Sequence, residues 1–164
     1  MNLIIESSLQ TLQKSKNLLS FLSNEQLSDT SVSPYYSSIG SHLRHIFDFY
    51  ACIFSYNSVI DLTERRRNTL VECDCNCAED YLKTIVDKLV VLDDLDREVM
   101  VIDDLGIGKV KTKYTMSAIL VQANSHTIHH YAIINYILYG LGIFVEDSDF
   151  GYNATTPKKT LQAR

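Results

Sequence analysis

No stretch of the 164-residue chain approaches the ~18 consecutive apolar residues of a membrane-crossing helix, so nothing in it reads as a membrane span. A basic excess is missing as well. Fifteen Lys and Arg stand against 20 Asp and Glu, a formal net charge of −5 that repels polyanions, so nucleic acid is not an expected partner. The one basic run, Arg65-Arg66-Arg67, sits beside Asp61 and Glu64. It reads either as a solvated face at the end of a helix or as cations at the mouth of a pocket for an anionic substrate. Met1-Asn-Leu-Ile-Ile-Glu6 has no basic n-region and meets an acid before any signal-like apolar core, so a cytoplasmic protein is expected. Cysteine is confined to Cys52, Cys73, Cys75 and Cys77, which such a compartment keeps reduced. The Cys-x-Cys-x-Cys run lacks the second, separated pair that a closed zinc site uses, and it reads as a helix start with incidental thiols. A thiolate site on those three cysteines is the alternative. No Ser-His-Asp or activated-Cys arrangement is recognisable.

What the chain does have is helical periodicity. Its 46% apolar content and its length suit a single domain, residues 1–164, able to bury its own core. Leu3, Ile4, Leu9, Leu12, Leu18, Leu19 and Leu22 predict a first helix over 3–22, followed by a polar loop to Pro34 with room for one short helical turn. Ser37 or Ser38 caps a second helix running from Ile39 to about Ile60, and a third spans about Ala78 to Leu95, with Asp74 and Asn76 as candidate caps. Two β-propensive runs, 98–103 and 109–114, flank Gly106 and Gly108 as a hairpin would. A last helix starts near Thr115 or Met116 and ends at Gly140 and Gly142. Residues 145–164 form a loosely packed C-terminal tail. The expected fold is therefore all-α, a four-helix bundle with a short extended or hairpin segment before the last helix.

That last helix carries His126-Thr-Ile-His129-His130. A spacing of four stacks His126 and His130 on one helical face, as a pair of metal ligands requires. The second helix offers His42 and His45 among bulky apolar positions, and either one makes a third imidazole. Three neutral histidines suit zinc, nickel or ferrous iron, and a three-ligand set leaves coordination positions open. A divalent ion so held brings the pKa of a bound water or thiol toward neutrality. Asp48, one turn after His45, and Gln122, one turn before His126, are the candidate acid–base or supporting groups.

The run Ser38-Ile39-Gly40-Ser41-His42-Leu43-Arg44-His45 resembles the S-I-G-x-x-L-x-H opening of helix two in the DinB/YfiT-like superfamily. His126 to His130 is similar to that superfamily's His-x-x-x-His on the last helix, and the order of elements agrees over nearly the whole chain. The resemblance implies a four-helix bundle in which His45, His126 and His130 are the metal ligands. Where many members place Gln three residues after the last histidine, this chain has Ile133, which leaves no substrate contact to borrow there.

Such relatives include metal-dependent hydrolases, transferases and isomerases that use a low-molecular-weight thiol, and non-haem iron domains. The expectation is a small-molecule enzyme of the hydrolase or thiol-dependent transferase kind, with a divalent metal and, for the transferase, a low-molecular-weight thiol. Long amphipathic helices often pair, so a homodimer is expected. The alternative is a non-catalytic helical dimer module in which the histidines are a structural or vestigial cluster.

Overall fold

The computed structural model describes residues 2–55 and 59–157. In chain order it contains helix α1 (Leu3–Leu19), the short α2 (Asn24–Ser28), α3 (Ile39–Ile53), strand β1 (Val59–Asp61), a 3₁₀ turn (Thr69–Glu72), α4 (Cys75–Val90), β2 (Glu98–Asp104), β3 (Lys109–Thr115) and α5 (Met116–Gly140).

Each long helix opens on a side chain that accepts a first-turn backbone N–H, which removes one of the orphan donors of a helix start. Asn2 does so for α1, Ser38 for α3, Asp74 for α4 and Thr115 for α5. The polar loop after α1 does hold a short helix, and Ser23 and Gln26 cap it reciprocally. At the far end of α5, Gly142 takes a left-handed φ of 71°, and the Ile143 N–H reaches back to the Leu138 carbonyl at 2.9 Å.

The four long helices pack in a ring, each against two others: α1 on α4 and α5, α3 on α4 and α5. Leu12 and Leu18 of α1, Leu43, Ile46, Phe47 and Tyr50 of α3, Leu82, Ile85 and Leu89 of α4, and Ile119, Leu120 and Ile134 of α5 are buried in the shared core. Gly40 lets the 3₁₀ turn lie against the start of α3, since a Cβ there would stand 2.1 Å from the Glu72 carbonyl oxygen.

The all-α expectation fails. Beside the helices lies a three-stranded mixed sheet of order β1-β2-β3, with β1 parallel to β2 and β2 antiparallel to β3. The hairpin was legible in the sequence, but β1 was not. The helix expected to reach Ile60 stops at Ile53, and Ile60 instead enters the sheet, buried and in register with Val101. The distance from Ile53 to Ile60 is a helical repeat of seven, so an apolar residue at each end imitates two further turns. The β-branched pair Val59-Ile60 prefers a strand when a partner edge is present. Residues 56–58, counted in the same expected helix, lie outside the described residues.

The segment after α5 is pinned where the structure describes it. Phe150 is buried and stacks on Tyr131 with ring centroids 4.8 Å apart, and Gly151, with φ 78°, runs against the Ala132 backbone. The expected tail's last residues, 158–164, lie outside the described residues. Among the described residues, no helix is long and apolar enough to cross a membrane.

Candidate metal centre

The packing of α3 on α5 brings all five histidines of the chain into one ring-contact cluster. The amphipathic pattern explains why. Leu43, Ile46 and Phe47 bury one face of α3, and Ala123, Thr127, Tyr131 and Ile134 bury one face of α5. His42, His45, His126 and His130 ride on the borders of these faces and meet across the seam.

His45, His126 and His130 each offer a ring nitrogen, and these three atoms lie within 4.8 Å of one another. His130 Nε2 and His126 Nε2 stand 3.1 Å apart. A tetrahedral ion with Zn–N bonds of about 2.0–2.1 Å needs ligand nitrogens about 3.3 Å apart, so one edge already has the required length and the others need at most about 1.5 Å of closure. A small rotation of one imidazole supplies that movement. Among the described residues this is the only group of three or more ligating side chains brought together, so Cys73, Cys75 and Cys77 do not converge on a site. Cys73 is exposed, and the Cys75 thiol points at the Leu22 carbonyl.

The histidines are held neutral. Burial, followed by the charge of Arg65, pulls His45 down to about 3 and His126 to about 4. Burial and the neighbouring imidazoles push His130 lower still, and burial followed by His129 lowers His42. A divalent ion therefore meets imidazoles that carry no extra proton at neutral pH, and it competes with the hydrogen bonds from Arg65 to His45 and between His126 and His130.

His42 is tied to the cluster. Its Nδ1 lies 2.8 Å from His130 Nδ1, and its Nε2 lies 2.8 Å from the Ser37 hydroxyl. The bonds Ser37–His42–His130–His126 form a chain that can run in two directions. Only one frees His130 Nε2 for a metal: His130 Nδ1–H donates to His42 Nδ1, and His42 Nε2–H donates to Ser37. His129 is exposed and touches the cluster only by ring contacts with His126 and His130.

Asp48 stands apart from the histidines. Its carboxylate accepts from Arg44 at 2.6 Å and from the Tyr81 hydroxyl at 3.0 Å, and Arg44 in turn bonds Glu72. Gln122 lines an open hollow of about 560 Å³ with Tyr114, Val121, Ser125, His126 and His129, so solvent reaches the cluster at His126. A more enclosed cavity of about 420 Å³, between Ile53, Leu92, Val99 and Met116, contains none of the histidines, and the chemistry therefore points to the shallower hollow.

Arg65 is the residue that sequence reasoning left undecided. The loop after β1 is set by Asp61, whose carboxylate accepts from the Thr63 N–H and hydroxyl. Arg65 then folds back, donating from Nε to the Leu62 carbonyl at 2.8 Å and from Nη1 to His45 at 2.6 Å from Nδ1. Its guanidinium also lies 5.9 Å over the Phe49 ring, which packs against His126. The basic run was visible in the sequence, but which of its three members faces the site was not.

Compared with known proteins, the chain matches no family model and no curated sequence.

Proposed function

We propose that the chain is a divalent-metal protein that acts on a small molecule at a three-histidine centre formed by His45, His126 and His130, as a hydrolase or as a transferase using a low-molecular-weight thiol. The observation that carries this reading is the convergence of three neutral imidazole nitrogens within 4.8 Å from two helices 81 residues or more apart in sequence. A bound zinc, nickel or ferrous ion would supply Lewis acidity toward a water or a thiol. The chain's own residues do the rest. His42 orients His130, burial keeps the ligands unprotonated, Phe49 backs His126, and the hollow lined by Gln122 and His129 admits the substrate. The likeness of the Ser38–His45 and His126–His130 runs to the DinB/YfiT-like superfamily belongs to the same proposal. The opening of the hollow onto His126 supports a reactive centre over a sealed structural one.

A cytoplasmic setting accompanies this reading, since all four cysteines are free and Cys73 is exposed. A homodimer is proposed through the exposed aromatic residues Tyr136, Tyr139 and Phe144 near the end of α5, to be checked by sedimentation. The central test is metal content. Protein made without an affinity tag should carry or take up one equivalent of metal, and His130→Ala should lose it. Sub-stoichiometric metal in both proteins, with melting temperature unmoved by added Zn²⁺ or Ni²⁺, would sink the proposal.

A further inference from the structure

We infer that Arg65 is the recognition group for an oxyanion on the substrate, a carboxylate or phosphate held by the edge of its guanidinium that is left over beside the three-histidine centre. The inference rests on the metal-site reading above and adds the charge class of the substrate to it.

Three observations carry it. First, Arg65 is the one member of the basic run whose side chain turns inward, fixed by its Nε bond to the Leu62 carbonyl and by its place over Phe49. Second, no carboxylate among the described residues lies within ion-pair distance of it, whereas Arg44, the other arginine of this region, is matched by Asp48 and Glu72. Its Nη1 instead rests against both ring nitrogens of His45, at 2.6 and 3.1 Å. Third, the side chains that surround it on the histidine side are imidazoles, which contribute no negative charge. A half-buried guanidinium beside a set of cation ligands opposes any divalent ion held there, and an anion that touches both positive charges relieves that repulsion. The planar fork of arginine suits a carboxylate or phosphate oxygen pair, which a lysine would meet only as a point charge. Among the described residues Nη2 of Arg65 has no hydrogen-bond partner, which leaves that edge of the guanidinium for the fork.

The experiment compares wild type, Arg65→Gln and Arg65→Lys, each stripped with chelator and reloaded with one equivalent of Zn²⁺. Zinc affinity is measured by competition with a chromophoric chelator, and binding of inorganic phosphate and of acetate is measured by calorimetry. Circular dichroism verifies that each variant is folded. Removing the guanidinium should tighten zinc binding on the order of ten-fold, because a repelling charge and a competing hydrogen bond to His45 are both lost. The same change should weaken phosphate or acetate binding at least ten-fold. Arg65→Lys should keep part of the anion affinity and little of its gain in zinc affinity. Tighter phosphate than acetate binding assigns a phosphate-type group, and the reverse assigns a carboxylate. If all three proteins take zinc but bind both anions equally, or bind neither, the role given to Arg65 is wrong and the metal site stands. If wild type takes no zinc, both proposals fall. Should Arg65→Gln not fold, the Arg65→Lys comparison decides alone: anion affinity unchanged from wild type overturns the inference.

Discussion

Replacing His42 by alanine tests whether the histidines act as one organised site. When His130 offers Nε2 to a metal, its Nδ1–H has His42 Nδ1, 2.8 Å away, as its acceptor, and His130 is only 9% exposed. His42→Ala leaves that donor unpaired in a site with little water and removes the constraint on the ring's orientation. Loss of such a supporting partner typically costs ~10- to 100-fold in metal affinity, or about 1.4–2.7 kcal/mol. At zinc fixed at one hundred times the wild-type Kd, the stabilisation from binding falls from about 2.7 kcal/mol to about 1.4 or 0.4 kcal/mol. For a chain of this size, that is a zinc-induced rise in Tm smaller by about 3–9 °C. The assay is a thermal melt of chelator-stripped protein with and without zinc, supported by a direct Kd from competition. Two controls calibrate it. Ser37→Ala removes only the far end of the chain and should cost less than about ten-fold, and His129→Ala removes an exposed ring that bonds none of the ligands and should leave the Kd within about two-fold. Equal zinc affinity in His42→Ala and His129→Ala would refute the reasoning, because the bonded and the merely adjacent histidine would then be equivalent.

Gly40→Ala should destabilise the fold by about 3 kcal/mol or more, since its Cβ would meet the Glu72 carbonyl at 2.1 Å and the 3₁₀ turn would have to move; an unchanged urea midpoint would rule out that close approach. Asp48→Asn should cost about 3 kcal/mol by leaving the largely buried Arg44 short of a charge partner, while zinc affinity stays within about two-fold. A fall in zinc affinity to match His42→Ala would bring Asp48 back among the residues of the metal site. The metal-free protein should lose stability as pH falls from about 6.5 toward 4, because His45 and His126 have folded pKa values of about 3 and 4, so the unfolded chain binds protons first. The stability these two groups contribute is fully present above about pH 6.5, and urea midpoints that are flat across the window would show that their pKa values are not lowered by folding.

The helices were legible because their signals are local and agree with one another. Ser38, Asp74 and Thr115 each announce a start, the periodic apolar residues mark the buried faces, and Gly142 marks an end. The metal-ligand candidates were legible for a related reason: His126 and His130 share a helical face by spacing alone, and once α3 and α5 are neighbours His45 has few other places to go. Asp48 illustrates the limit of the same argument. Three residues after His45, it is close enough along the helix to suggest a shared task, yet 3.6 residues per turn places it about 60° around the axis from that ligand. There it turns toward Arg44 and Tyr81.

What was hidden is connected. Strand β1 has three residues, carries no turn signature of its own, and owes its existence to β2, some forty residues later. A pattern search within one segment cannot supply that partner. Yet the parallel pairing of β1, continued by the Leu62 N–H to the Ile102 carbonyl at 2.9 Å, fixes where the next loop leaves the sheet. The Asp61 turn and the Leu62 carbonyl then deliver Arg65 to His45. An all-helical chain could bring the three histidines together just as well, since they need only α3 and α5. The sheet is needed for the guanidinium. The element that the sequence pattern concealed thus sets Arg65 against His45, while the elements it displayed bring the three imidazoles together.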